Sequence, residues 1–365
     1  MSQPGFFDLS RRYEGLDAKG DPLVAILLAV PFEVFRPQLK AALVKGGLRR
    51  AESARKSSAG RKPWDEVLMF KMLVLQALYN LSDDQTEYQV RDRLSFMRFV
   101  GLGLEDSVPD AKTLWLYREA LTKAGAVEAL FNQFDAHLKE RGYLAMGGQI
   151  IDATIVPAPC QRNSREDNAT IKAGETPAGW AVQPAKNRQK DKDARWTQKH
   201  GKSHYGDSEQ RPVPGAQGSR AADINVDRRH KLVRRYVVTS ASVHDSQKLD
   251  DVLDPANTAS GVWADCAYRS EATETTLAER GLTSHIHRRG TRNKPLTTRQ
   301  EAANKTRSKV RARVEHVFGD QHNNMGGKFI RTIGIIRATA KIGLQNLAYN
   351  MRRLVILDRI ASATG

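Results

Sequence analysis

The sequence lacks the features on which secreted, membrane and zinc-finger proteins depend. Its 365 residues include only two cysteines, Cys160 and Cys266, and no CxxC motif, which excludes a disulfide framework and a zinc finger. The longest apolar run, residues 23–32, has about half the length of a membrane span. The first residues lack the basic start and the apolar stretch of a secretory signal. We therefore expect a cytoplasmic protein that has no membrane partner.

Acidic residues are also scarce relative to basic ones. The chain has 58 Lys and Arg against 41 Asp and Glu, for a net charge of +17. Residues 186–235, 285–313 and 328–359 carry net charges of +8, +9 and +6, so the rest of the chain is net acidic. Positive charge segregated in this way is typical of a protein that binds nucleic-acid phosphates. A basic surface that only maintains solubility is the alternative.

The N-terminal part of the chain, residues 1–145, has the pattern of an all-α domain. Apolar residues recur at helical spacing from residue 63 onwards. Ser82 and Gln85 have the spacing of a capping box, and Asp110 can cap a helix over residues 112–123. Short helices with brief turns fit a helix-turn-helix that reads DNA and, equally, a helical bundle used for dimerisation.

From residue 146 onwards the pattern changes to strands that alternate with helices. The order is strand, two strands, helix, strand, helix, strand, helix, and it matches a ribonuclease-H-like fold. We therefore predict a second α/β domain over residues 146–365, with a mixed sheet and flanking helices. Residues 158–222 are polar with little periodicity and are predicted to be an insertion. The strands are predicted at residues 150–156, 224–226, 232–240, 262–265 and 283–287, and the helices at 244–253, 270–280 and around 310–317.

Three carboxylates fall on separate elements of this predicted domain. Asp152 is in the middle of the first strand, Asp265 ends the fourth strand, and Glu315 is on the last helix. An acid within an apolar strand is costly unless it is paired, hydrogen-bonded or bound to metal. Carboxylate oxygens suit Mg²⁺, and two such ions can promote displacement at a phosphodiester. The alternatives are a satisfied buried acid at Asp152 and an ordinary i, i+4 ion pair between Glu315 and Arg311.

The residues around these carboxylates resemble a known family. The chain is similar to the bacterial DDE transposases of insertion sequences, specifically the insertion-sequence-five group. Residues 200–206, 225–231 and 60–121 are also similar to that group, so the resemblance covers most of the chain. The motifs that carry it are Ile151-Asp152-Ala153-Thr154, Asp265-Cys266-Ala267-Tyr268-Arg269-Ser270 and Arg311-Ala312-Arg313-Val314-Glu315-His316-Val317-Phe318-Gly319.

The resemblance implies that Asp152, Asp265 and Glu315 are the catalytic, metal-binding triad of a Mg²⁺-dependent enzyme, with Mn²⁺ as a substitute. It implies cleavage at the ends of the insertion sequence with two Mg²⁺ ions and transfer of the freed 3′-hydroxyl to target DNA. A homodimer on double-stranded DNA, in a bacterial cytoplasm and associated with the nucleoid, is part of the same expectation. The residues predicted to contact DNA are Arg311, Tyr268, Arg228, Arg229, Lys231 and Lys328.

Two positions depart from the family signature, which commonly has a tyrosine before the arginine and a lysine after the glutamate. Here Ser308 and His322 occupy those positions, and Lys328 is the nearest lysine downstream. Residues 207–224 also exceed the length usual in relatives. The alternative functions are therefore a catalytically dead or domesticated transposase that acts as a DNA-binding protein, a nuclease that cuts without transfer, and an RNA-binding protein.

Other residues of the predicted domain have less specific patterns. His285 and His287 alternate on a strand and share a face, which favours a phosphate contact or a half-buried surface pair over metal binding. Trp263 lies two residues before Asp265, so it can form a wall of the site, although core packing is the default interpretation.

Overall fold

The computed structural model describes residues 8–50, 62–159, 163–192, 197–199, 202–204, 219–241, 243, 247–327, 330 and 332–364. The chain divides into two compact units, residues 1–137 together with 344–365, and residues 138–343. The predicted boundary was residue 145, and the predicted second domain extended to residue 365. The C-terminal residues instead group with the first unit, because their apolar side chains, among them Leu347, Met351 and Leu354, are buried.

The first unit is helical, as its sequence pattern predicts. Ser82 accepts from the Gln85 amide and Gln85 accepts from the Ser82 amide, which confirms the predicted capping box. Asp110 caps its helix by accepting from the Thr113 amide. The helices are α1 (Asp8–Ala18), α2 (Pro22–Ala29), α3 (Arg36–Lys45), α4 (Glu66–Tyr79), α5 (Asp83–Asp92), α6 (Leu94–Val100), α7 (Ala111–Ala124) and α8 (Ala126–Glu140), with a 3-10 turn at Phe32–Phe35.

Aromatic side chains fill the core of this unit. The ring centroids of Phe32 and Phe99 lie 5.6 Å apart, and those of Phe35 and Phe70 lie 5.0 Å apart. Within the described part of the chain, no single helix is long and apolar enough to cross a membrane, although α2 and the segment Phe32–Lys45, bent by 61°, pass that test as a pair.

The second unit is built on a five-stranded mixed sheet. Its strands lie in the spatial order third, second, first, fourth, fifth, counted along the chain. The first three strands pair antiparallel, and the last two run parallel to the first. The strands are β1 (Gln149–Pro157), β4 (Ser219–Asp227), β5 (Val233–Ser240), β6 (Gly261–Trp263) and β7 (Thr283–Ser284), and a separate hairpin holds β2 (Thr197–Lys199) and β3 (Lys202–His204).

Helices pack around this sheet, and several differ in length from their predictions. The helix predicted at 244–253 is observed only from Leu249, with residues 244–246 outside the described part, and β7 ends before His285. The predicted insertion contains short helices that the polar sequence does not indicate. The helices that follow α8 along the chain are α9 (Arg165–Lys172), α10 (Ala178–Ala181), α11 (Pro184–Arg188), α12 (Leu249–Val252), α13 (Glu271–Glu279), α14 (Thr298–Asn323) and α15 (Ile335–Thr364), with a 3-10 turn at Cys266–Tyr268. Helix α15 belongs to the first unit from residue 344 onwards.

The register of β1 positions the site. Asp152 lies opposite Ile224 of β4, and its neighbour Ile151 belongs to a buried cluster with Val262. Because successive side chains of a strand point to opposite faces, Asp152 points away from that cluster. Helix α14 packs against β1, and its residues Val314 and Val317 are fully buried.

Candidate active site

One arginine joins two of the three predicted carboxylates. Nη1 of Arg311 donates to Oδ2 of Asp152 at 2.7 Å, and its Nη2 lies 3.8 Å from Oε1 of Glu315. Arg311 and Glu315 share a face of α14 because they are one turn apart. Asp152 is largely buried, with 15% of its side chain exposed, whereas Glu315 is mostly in solvent at 64%.

The third carboxylate, Asp265, follows β6 and begins the 3-10 turn. Its Oδ1 accepts from the Cys266 amide. Burial opposes ionisation, but the hydrogen bonds of Cys266, the charge of Arg311 and the charge that His287 carries at acidic pH outweigh it, so the pKa of Asp265 lies below its ordinary value. Asp265 is therefore ionised at neutral pH, and Arg311 acts electrostatically on all three carboxylates.

The chemistry of this donor set fits a divalent cation, since three carboxylates supply the hard oxygen ligands that Mg²⁺ prefers. In the described ranges, however, no group of three or more His, Cys, Asp or Glu side chains is arranged to hold a metal ion. The cation among the carboxylates is the Arg311 guanidinium. Its Nε is buried and has no hydrogen-bond partner among the described residues.

Two family models match the chain. The model described as Transposase domain (DUF772) matches residues 11–120, and the model described as Transposase DDE domain matches residues 144–351. The second match covers more than half of the chain and includes the three carboxylates. The chain belongs to the transposase DDE domain family. The predicted transposase family is thus confirmed, and membership implies that the protein acts on DNA. No solved structure matched the chain.

Tyr268 of this transposase lies in the core and not on the surface where a DNA contact was expected. Its ring is fully buried in the cluster that contains Ile151, and its hydroxyl donates to Oδ1 of the buried Asp223 on β4. A side chain in this position cannot reach DNA, so the predicted DNA contact is wrong. The aromatic residue after the second aspartate instead fixes the turn that carries Asp265 to the sheet.

The basic residues predicted to bind DNA lie mainly on the β4–β5 turn. Asp227 holds this turn by accepting from the amides of His230 and Leu232. Arg229 is exposed, and Lys231 adopts a left-handed backbone conformation with φ of 60°. The turn therefore presents positive charge on a fixed backbone. Lys328 lies outside the described residues.

Arg228, on the same turn, takes part in a stack of three side chains. Its guanidinium lies 5.1 Å from the centroid of the Trp263 ring, and that ring stacks on His285 at 4.5 Å with an interplanar angle of 18°. Trp263 is buried. A Cβ at Gly148 or Gly261 would lie 2.5 Å from the Trp263 ring, so only glycine fits at both positions.

Ser308, which occupies the tyrosine position of the family signature, contacts the site through His287. Its Oγ lies 3.3 Å from Nε2 of His287. Burial and the charge of Arg311 lower the pKa of His287, although Asp265 opposes them. His287 is therefore neutral at physiological pH and can share a hydrogen bond with the serine. His322, at the other departing position, is exposed.

Proposed function

We propose that this transposase cleaves DNA at the ends of its insertion sequence and transfers the freed 3′-hydroxyl to target DNA. The observation that supports this proposal is the shared electrostatic site, in which Arg311 acts on Asp152, Asp265 and Glu315. The strand order of the second unit, with its three antiparallel and two parallel strands, supports a ribonuclease-H-like fold for that unit.

The three carboxylates are the catalytic, metal-binding residues of this proposal. When bound, two Mg²⁺ ions, or Mn²⁺ in their place, would activate the attacking oxygen and stabilise the leaving one. The lowered pKa of Asp265 keeps this group ionised, and the buried position of Asp152 fixes its carboxylate on the sheet. Arg311 offsets part of the negative charge of the carboxylates in the free protein and then donates to a DNA phosphate, which accepts a guanidinium in a bidentate geometry.

Binding of double-stranded DNA is assigned to the basic segments. Arg228, Arg229, Lys231 and Lys328 would contact phosphates of the transposon ends or of the target. Two ends must be cut together, so we expect a homodimer on DNA. We assign the helical first unit to DNA contact or dimerisation, and the protein to the insertion-sequence-five group and to the nucleoid of a bacterial cytoplasm.

The test is cleavage of a labelled duplex that carries the element's own ends, in Mg²⁺, by the wild type and the Asp152→Asn and Glu315→Gln variants. Glu301→Gln is the matched control, because Glu301 is an exposed acid on the same helix as Glu315. We expect end-specific cutting in the wild type and control only, with DNA binding retained by all four proteins. Binding without cutting in all of them would favour a catalytically dead transposase, and cutting that survives both site substitutions would overturn the carboxylate assignment.

A further inference from the structure

A cluster of arginines lies near the carboxylates in the sequence of the elements that carry them. The carbonyl oxygen of Ile286 accepts from two guanidinium groups, Nη1 of Arg269 at 3.0 Å and Nη1 of Arg307 at 3.2 Å. The two nitrogens are therefore at most about 6 Å apart. Two cations that share one neutral acceptor repel each other, and an anion bound beside them would reduce that repulsion.

Arg288 adds a third positive charge. The side-chain amide of Asn304, on α14, donates to the Arg288 carbonyl at 2.8 Å and accepts from the Arg288 amide at 3.0 Å. This double hydrogen bond fixes the backbone of Arg288 against α14. Burial and then the charges of Arg269 and Arg288 lower the pKa of Arg307. Arg307 thus lies within electrostatic range of both other arginines.

The acidic charge opposing this cluster comes from Glu274. Its Oε1 lies 3.2 Å from Nη2 of Arg269 and also accepts from the hydroxyl of Ser284 at 2.9 Å. Within the described part of the chain, Glu274 is the carboxylate that pairs with this cluster, and it is already shared with a serine. The cluster therefore keeps a net positive charge.

Arg307 also has hydrogen-bond donors to spare. A guanidinium carries five N–H donors, and among the described residues Arg307 donates to Ile286 alone. The side chain is half-buried, so its remaining donors are only partly hydrated. A phosphate satisfies such a group well, because its oxygens match the guanidinium fork in charge and geometry.

We propose that Arg269, Arg288 and Arg307 bind one backbone phosphate of the DNA strand that occupies the carboxylate site. This inference rests on the proposed function and adds a phosphate contact to the one expected of Arg311. Arg307 precedes Arg311 by one helical turn, about 6 Å along α14. Arg269 follows Asp265 by four residues at the end of the 3-10 turn. A phosphate held here fixes the position of the strand along the site.

The test uses the full chain, a duplex with the element's ends, and no divalent metal, so that binding is measured without cleavage. Fluorescence anisotropy across a salt series compares the wild type with Arg307→Gln, Arg288→Gln and Arg307→Lys. Arg299→Gln is the matched control, since it removes the same charge from an exposed position of α14. We expect Arg307→Gln to weaken binding several-fold and to reduce the salt slope by about 1, with partial recovery in Arg307→Lys and a smaller effect of the control.

A scan of the duplex identifies the phosphate itself. Single phosphates are replaced one at a time by neutral methylphosphonates. At one position the replacement weakens binding of the wild type but leaves binding of Arg307→Gln unchanged, because the contact is already lost. Thermal unfolding of each variant shows whether it folds. If Arg307→Gln does not fold, Arg288→Gln provides the test, because Arg288 is exposed.

The outcomes separate this inference from the proposed function. The phosphate site would be overturned, even with normal cleavage, by two results together. These are a scan in which every methylphosphonate weakens binding equally in the wild type and in Arg307→Gln, and a salt slope that Arg307→Gln leaves unchanged. A melting temperature raised by inorganic phosphate in the wild type but not in Arg307→Gln, with a flat scan, would indicate a site for free anions and would also overturn it. If one DNA phosphate is coupled to Arg307 but the protein cuts no DNA, the result would support the phosphate site and count against the proposed cleavage.

Discussion

Arg311 and Asp152 form an ion pair of 2.7 Å that joins α14 to the first strand of the sheet, across 159 positions of the sequence. Both side chains are shielded from solvent, with 23% and 15% of their surfaces exposed. The pair has two consequences. It holds the helix that carries Glu315 against the strand that carries Asp152, and it supplies positive charge among carboxylates that would otherwise repel one another.

Removal of this charge is expected to destabilise the protein. In Arg311→Gln the largely buried Asp152 loses its charged partner, and the free energy of unfolding should fall by about 2 kcal/mol. Chemical denaturation measures this change. Lys309→Gln, an exposed substitution on the same helix, should leave stability within about 0.5 kcal/mol. An equal effect of the two substitutions would show that the ion pair does not stabilise the fold.

The same variant should respond more strongly to a divalent cation. Without the guanidinium, the three carboxylates lack a counter-charge, so a cation that binds the folded state stabilises it more than it stabilises the wild type. The measurement is the shift in melting temperature on addition of Mg²⁺ or Mn²⁺ without DNA. Identical shifts in wild type, Arg311→Gln and Lys309→Gln would contradict this prediction.

Asp265 should contribute to stability in a pH-dependent way. Its pKa in the folded protein lies below the ordinary value of 3.8, so its ionised form favours folding. The contribution is fully present above the ordinary value and is lost as the pH falls through the lower, folded value. Denaturation between pH 6 and pH 3 should therefore show a smaller acid-induced loss in Asp265→Asn than in the wild type. Equal losses would mean that the shift is absent.

The close approach of Gly148 to the Trp263 ring predicts that a larger residue at this position destabilises the fold. Gly148→Ala places a methyl group 2.5 Å from that ring at a backbone φ of +93°, and we expect a loss of at least about 2 kcal/mol in the free energy of unfolding. Gly281→Ala is the matched control, because Gly281 also has a positive φ but has nothing within 4 Å of the added carbon. The control should lose only the backbone part, about 1 kcal/mol. Similar losses at the two positions would indicate that the ring moves aside freely.

Tyr268→Phe distinguishes a core residue from a DNA contact. Loss of the buried hydroxyl that donates to Asp223 should reduce the free energy of unfolding by about 1–3 kcal/mol. Affinity for the transposon ends, measured at a temperature where the variant is folded, should be unchanged. A folded variant of normal stability that binds DNA weakly would restore the original prediction for this residue.

The elements that the sequence predicts well are those with local signals. The capping box at Ser82 and the cap at Asp110 follow from residues within a few positions of one another. The i, i+4 contact of Arg311 with Glu315 is a local signal as well, and it is observed at 3.8 Å. Such features need no knowledge of the rest of the chain.

The features that the sequence does not reveal depend on distant partners. The pairing of Arg311 with Asp152 and the meeting of Arg269 with Arg307 at the Ile286 carbonyl arise only when strands and helix assemble. Tyr268 is a further case in which distant partners decide the outcome. The resemblance suggests a surface role, but tertiary packing places the residue in the core. The grouping of residues 344–365 with the first unit has the same origin, because hydrophobic periodicity indicates that a helix is buried but not against which partner.

Helix α14 is attached to the second unit partly through main-chain acceptors. Arg307 donates to the carbonyl of Ile286, and Arg313 donates to the carbonyl of Arg228. Every residue type supplies a carbonyl, so the side chain at position 228 can be exchanged without removing the hydrogen bond from Arg313, whereas Ile286 is fully buried in the core. The helix that carries Glu315 can thus keep this main-chain contact when the side chain at position 228 is changed.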